Sequence, residues 1–106
     1  MEKVTSRKGV ADTPEAWIYY KESGHGTPIL MLHGNAQTHL VFSYYEKQLS
    51  RKYRVILMDS RAHGHSQIKP FCARKEFTTA DMARDAAALL DSLHIDACIL
   101  LGFSDG

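Results

Sequence analysis

Three short stretches are almost continuously apolar: residues 28–32 (P-I-L-M-L), 53–58 (Y-R-V-I-L-M) and 97–101 (A-C-I-L-L). A run of that length without polar alternation has no face to offer to water, so it suits a strand covered on both sides, as in a parallel sheet. Tight hairpins cannot join parallel strands, and the intervening stretches have the length and period of crossover helices. Over about residues 38–50, Val41, Tyr45 and Leu49 recur at i, i+4 and i+8, predicting a stripe that packs on the sheet. Over about 79–93, Met82, Ala86, Leu89 and Leu93 share one face, and Thr78 with Asp81 has capping-box spacing. An earlier strand is predicted at 16–21 (A-W-I-Y-Y-K), followed by the turn E-S-G-H-G, with glycine on both sides of His25. This order of elements predicts an α/β fold, a mostly parallel sheet flanked by helices.

Right-handed crossovers gather the carboxyl ends of such strands along one edge, where ligands of open α/β sheets bind. The segments that follow the strands are therefore the informative ones: H-G-N-A-Q, D-S-R-A-H-G-H-S and G-F-S-D-G. In the last, Ser104 lies between Gly102 and Gly106. A serine hydroxyl becomes a useful nucleophile when it is raised clear of the sheet, aligned with a base and set beside oxyanion donors. A sharp strand-to-helix turn raises it, and the crowding in that turn demands very small residues two before and two after the serine. At the end of the first strand, Gly34 lets the backbone turn so that the N–H of Asn35 points into the cleft, and the N–H of Asp105 is the second expected oxyanion donor.

These segments, in this order and approximate spacing over essentially all 106 residues, resemble the α/β-hydrolase fold family: L-H-G-N, Y-R-V-I-L-M-D-S-R-A-H-G-H-S and I-L-L-G-F-S-D-G. The resemblance implies that Ser104 is the nucleophile, with Asn35 and Asp105 supplying the oxyanion-hole N–H groups. It implies a structural loop after the second strand in which Asp59 pairs with Arg61, and Ala62 stands where members usually carry glycine. Members place their triad in the chain order serine, acid, histidine. All six histidines of this sequence precede Ser104, so the acid and the histidine are expected beyond residue 106. Residues 1–106 are thus read as the N-terminal part of one hydrolase domain, ending at the nucleophile elbow. The rest is expected as continuing polypeptide or as a separate chain, because A-C-I-L-L would otherwise be an apolar edge strand.

The implied activity is hydrolysis of a small ester or related acyl bond through a covalent acyl-enzyme, with no cofactor. Asp105 has a plain account, an acidic residue in the first turn of a helix, and a sharper one, a substrate contact favouring a cationic amine near the acyl group. A different class of function is a non-catalytic or truncated relative that acts as an interaction module through the exposed strand. No metal site is expected: His63 and His65 have no third ligand nearby in sequence, and the other histidines lack helical H-x-x-x-H spacing.

Composition narrows the remaining partners. Hydrophobic residues make up 44%, charged residues 24%, and the net charge is +1, as in ordinary globular proteins. The densest basic run, residues 47–54, falls at a predicted helix end where cations suit the terminal carbonyls, and it lacks the aromatic interleaving of a nucleic-acid surface. No apolar run approaches the roughly 18 residues of a membrane span, and the charged first residues lack the apolar core of a secretory signal. Two cysteines, Cys72 and Cys98, are too few for a disulfide framework. The reading is a cytoplasmic protein without nucleic-acid or membrane partners.

Overall fold

A computed structural model describes residues 6–34, 37–70 and 78–103. Its strands are β1 (Ser6–Asp12), β2 (Ala16–Ser23), β3 (Thr27–Leu32), β4 (Tyr53–Met58), β5 (Gln67–Ile68) and β6 (Ile99–Gly102). They make one sheet in the order β1-β2-β4-β3-β6, with β5 paired to β2 off that path. β3 pairs in parallel with both β4 and β6, whereas β2 runs antiparallel to β1, β4 and β5. The mostly parallel core predicted from the apolar runs is therefore present, extended at one edge by an antiparallel hairpin. At the tip of that hairpin, Thr13 Oγ1 accepts from Ala16 N and donates to Ala16 O, both at 3.0 Å.

The continuous apolar character of β3 and β4 follows from their double cover. Ile29, Met31, Val55 and Leu57 point to one face, where they meet Phe42 and Leu49. Leu30, Ile56 and Met58 point to the other, where they join Ile18, Ala86, Leu89 and Ile95. Each strand feeds both layers by the period-2 alternation of its side chains.

The first helical segment is a 3-10 turn, His39–Phe42, leading into α1 (Ser43–Leu49). Its expected stripe is corrected by the structure. Val41 and Tyr45 face solvent, 44% and 53% exposed, and the buried positions are His39, Phe42 and Glu46, with Leu49 packed alongside. The helix is turned toward polar partners: Glu46 accepts from Ser23 Oγ at 2.8 Å and pairs with Lys21 Nζ at 3.1 Å. A buried charge with a cation and a hydroxyl beside it is tolerated, and that lets Phe42 rather than Val41 fill the core.

The second helix, α2 (Thr79–Ser92), matches its prediction. Asp81 N donates to Thr78 Oγ1 at 3.2 Å and Thr78 N donates to Asp81 Oδ2 at 2.9 Å, the reciprocal bonds of a capping box. Ala86 and Leu89 are buried on the sheet and Leu93 packs beside them. The expected turn before β3 is also present, with Gly24 at φ +78° against the Ser50 and Tyr53 carbonyls. β6 begins two residues later than expected. Cys98 packs against the core as a free thiol; Cys72 lies outside the described residues.

Candidate active site

The carboxyl ends of the three parallel strands lie side by side. Leu32 at the end of β3 is the register partner of Met58 on β4 and of Gly102 on β6. One residue further, Phe103 N donates to Leu32 O at 3.1 Å. The three segments singled out in the sequence therefore leave the sheet from a single line of backbone. Gly102 is described and occupies the last position of β6. Asn35, Ser104, Asp105 and Gly106 lie outside the described residues.

After β3 the chain passes into His33, which is buried. Its Nε2 accepts from Ser60 N at 2.9 Å and its Nδ1 lies 2.7 Å from Gly34 O. Only the neutral ring with its proton on Nδ1 satisfies both contacts, since the carbonyl needs a donor and the amide an acceptor. Burial pushes the His33 pKa down, and the neighbouring His63 and His39 add to that; the Gly34 carbonyl and Asp59 act in the opposite direction. His33 thus ties the exit of β3 to the exit of β4. With both nitrogens engaged by backbone, it is a brace.

After β4 the chain folds around one carboxylate. Asp59 is fully buried. Its Oδ1 accepts from His39 N and from His39 Nδ1, both at 2.7 Å, and its Oδ2 accepts from His65 N at 2.9 Å. Burial would raise the Asp59 pKa, but the amides of His65 and His39 and the His39 ring outweigh it, and the pKa is lowered. Ser66 Oγ donates to Asp59 O at 2.6 Å and accepts from Tyr19 N at 2.8 Å, fastening the far end of the loop to β2. Two residues in this loop adopt left-handed conformations, Ala62 at φ +62° and Gly64 at φ +54°. A Cβ on Gly64 would collide with the Asp59 carboxylate, so this glycine lets the loop close over it. Ala62, where family members usually have glycine, takes the left-handed conformation that glycine adopts at less cost.

The expected pairing of Asp59 with Arg61 is corrected. Arg61, buried, donates from Nε and Nη2 to the two oxygens of Asp85 on α2 at 2.7 and 2.9 Å, and its Nη1 stands 3.4 Å from Glu15. The bond to Asp85 raises the Arg61 pKa against the effect of burial, so the guanidinium stays charged. Asp59 cannot serve Arg61 while it closes its own loop, and a buried guanidinium needs a bidentate partner. Sequence proximity suggested the neighbour at i−2; the fold supplies the one across the layer.

The sequence reading also missed a cluster of histidines. His39 arrives from the 3-10 turn and His65 from the loop, so that a carboxylate and a second imidazole stand beside His65 after all. The Tyr19 ring packs against both, with centroids 5.2 and 4.8 Å away. Spacing along the chain carries no trace of this grouping, because its members meet only through tertiary structure. Among the described residues no helix is long and apolar enough to cross a membrane.

Comparisons with known proteins agree with this fold. A family model described as the alpha/beta hydrolase fold matches residues 27–106. The "AB hydrolase superfamily protein YisY" of Bacillus subtilis is 33% identical over 84% of this chain and 32% of its own length. A protein named "Probable proline iminopeptidase" from Leptolyngbya boryana is 35% identical over 84% of this chain and 28% of its own. The crystal structure of a hydrolase from Pseudomonas aeruginosa superimposes with a TM-score of 0.82 at 25% identity, over 93% of this chain and 37% of that one. The chain thus spans about a third of the length of the proteins it matches. With the strand-end segments in register and the family pattern running through them, this chain belongs to the α/β-hydrolase family.

Proposed function

We propose that the protein is a serine hydrolase that cleaves small esters or related acyl bonds through a covalent acyl-enzyme. The observation that carries this reading is the shared line of strand ends, Met58, Leu32 and Gly102. It supports a site in which H-G-N and G-F-S-D-G leave the sheet as neighbours. Ser104 Oγ attacks the acyl carbon and its proton passes to a histidine. The leaving alcohol takes that proton, and water then attacks the acyl-enzyme with the same histidine as base, releasing the acid and restoring the serine. The backbone N–H groups of Asn35 and Asp105 hold the oxyanion, each contributing on the order of 3 kcal/mol of transition-state stabilisation.

The base and its acid come from outside residues 1–106 in this reading. Two of the histidines are already engaged: His33 with backbone at both nitrogens, and His39 with Asp59. Residues of the same hydrolase, on a continuing polypeptide or a separate chain, would cover β6, where Ile99, Leu100 and Leu101 are all exposed. Burying a few hundred Å² of such apolar surface contributes several kcal/mol at about 25 cal/mol per Å². The substrate reading rests on Asp105, whose carboxylate would favour an acyl group carrying a cationic amine; the relative named as an iminopeptidase is in keeping with that preference.

A fluorophosphonate probe tests the mechanism on the full-length protein. Labelling abolished by Ser104→Ala is the expected result. Absence of labelling in the folded wild type would favour the second reading, an interaction module that pairs through the open edge of β6. Comparing an amino-acid ester with its N-acetyl derivative tests the substrate preference, and equal rates would remove it.

A further inference from the structure

We propose that His39, Asp59 and His65 form a binding site for a zinc-sized divalent transition-metal ion. One ligand atom from each residue lies within 4.8 Å of the others. His39 Nδ1 is 2.7 Å from Asp59 Oδ1, and His65 Nδ1 is 3.6 Å from Asp59 Oδ2. Zinc holds nitrogen and oxygen ligands at about 2.0 to 2.2 Å in a tetrahedron, which sets neighbouring ligand atoms about 3.3 Å apart. The two separations run to different oxygens of Asp59 and fall on both sides of that value, and the three ligand atoms lie within 4.8 Å of one another, so side-chain adjustments of about 1 to 1.5 Å would close the three groups on one ion.

The surroundings suit this use. The amides of His39 and His65 each hold one oxygen of Asp59, fixing the carboxylate as outer-shell donors do in metal centres. An ionised carboxylate has about four acceptor positions, and these two amides leave room for the ion. Tyr19 packs on both imidazoles and limits their rotation. Asp59 and His39 are buried, while the His65 side chain is 70% exposed, which gives a path in from solvent and a fourth position for water. On binding, His39 Nδ1 gives its lone pair to the metal and the ring proton moves to Nε2. The neutral ring keeps one N–H, and Asp59 exchanges a hydrogen bond for a metal–oxygen bond. Two imidazoles and one carboxylate suit zinc, copper or nickel, whereas calcium and magnesium prefer all-oxygen sets.

Titration calorimetry with zinc chloride on the full-length, EDTA-stripped protein tests the site. Wild type is expected to bind one equivalent more than His65→Ala, or to bind that equivalent on the order of 100-fold more tightly, with magnesium chloride giving no such difference. His65 is exposed, so its replacement leaves the fold in place, and His94→Ala, also at an exposed histidine, is expected to bind as wild type. Zinc should also raise the unfolding temperature of wild type and leave that of His65→Ala unchanged, because the ligands converge only in the folded chain. Identical stoichiometry and affinity in wild type and His65→Ala would overturn the proposal, as would no binding by wild type.

Discussion

Replacing Asp85 by alanine should cost about 3 kcal/mol or more, a large part of the 5 to 15 kcal/mol that typically holds a domain together. The Arg61 and Asp85 side chains are each 3% exposed, and two hydrogen bonds of 2.7 and 2.9 Å join them. Removing the carboxylate leaves a buried guanidinium whose remaining carboxylate partner is Glu15, at 3.4 Å and partly open to solvent. Breaking a buried pair from one side typically costs about 3 to 5 kcal/mol, and Glu15 places the expectation at the lower end. The double variant Arg61→Met, Asp85→Leu removes both charges and fills the space with apolar atoms. It should lose less than Asp85→Ala alone, since replacing a buried pair by apolar residues of similar volume is often close to neutral. Urea denaturation of the full-length protein, followed by far-ultraviolet circular dichroism, gives the comparison. A loss below about 1 kcal/mol for Asp85→Ala would refute the reasoning, and so would a double variant as unstable as the sum of its single changes.

The two left-handed positions of the same loop, Ala62 and Gly64, should respond differently. Ala62→Gly relieves about 1 kcal/mol of backbone strain against a similar unfolded-state entropy, giving no change to a gain of about 1 kcal/mol, whereas Gly64→Ala should lose at least about 1 kcal/mol; thermal unfolding reads both. Because the folded pKa of His33 lies below its ordinary value of 6.5, the native state binds fewer protons than the unfolded chain. Its contribution is complete above pH 6.5 and is lost as pH falls through the folded pKa. Urea unfolding at pH 7.5, 6.5 and 5.5 should show this decline, and His33→Asn, which cannot titrate there, should show less of it; identical pH profiles would contradict the assignment.

How much of this was legible depended on whether burial was apolar. β3 and β4 could be read because both faces meet core, leaving uninterrupted runs such as V-I-L-M. β1 could not. Its sequence, S-R-K-G-V-A-D, is polar and mostly exposed, and its place is set by the hairpin to β2 rather than by its own composition. α1 was located, but its inward face was misassigned, because His39 and Glu46 are buried through polar partners that no hydrophobic period reports. α2 was read correctly, since its cap is local and its stripe apolar. At the candidate site, the glycine-bearing strand ends were visible as short motifs, and Gly102 is the last residue of β6. The Arg61–Asp85 pair and the grouping of His39 with Asp59 and His65 were not visible, because each is made by residues that tertiary packing alone brings together.

The attachment of β6 bears on how the molecule comes to be built. The sheet grows by the nearby pairing of β1 with β2 and by the single crossover from β3 to β4, but β6 joins through Ile29 with Ile99 and Leu32 with Gly102, partners far apart in sequence. Contacts of such long sequence separation require the costliest loop closure and tend to govern the rate of acquiring native topology. In the proposed reading, the stretch with the nucleophilic serine follows the most remote strand pairing among the described residues, so catalytic competence would mature only after the scaffold beneath it has set.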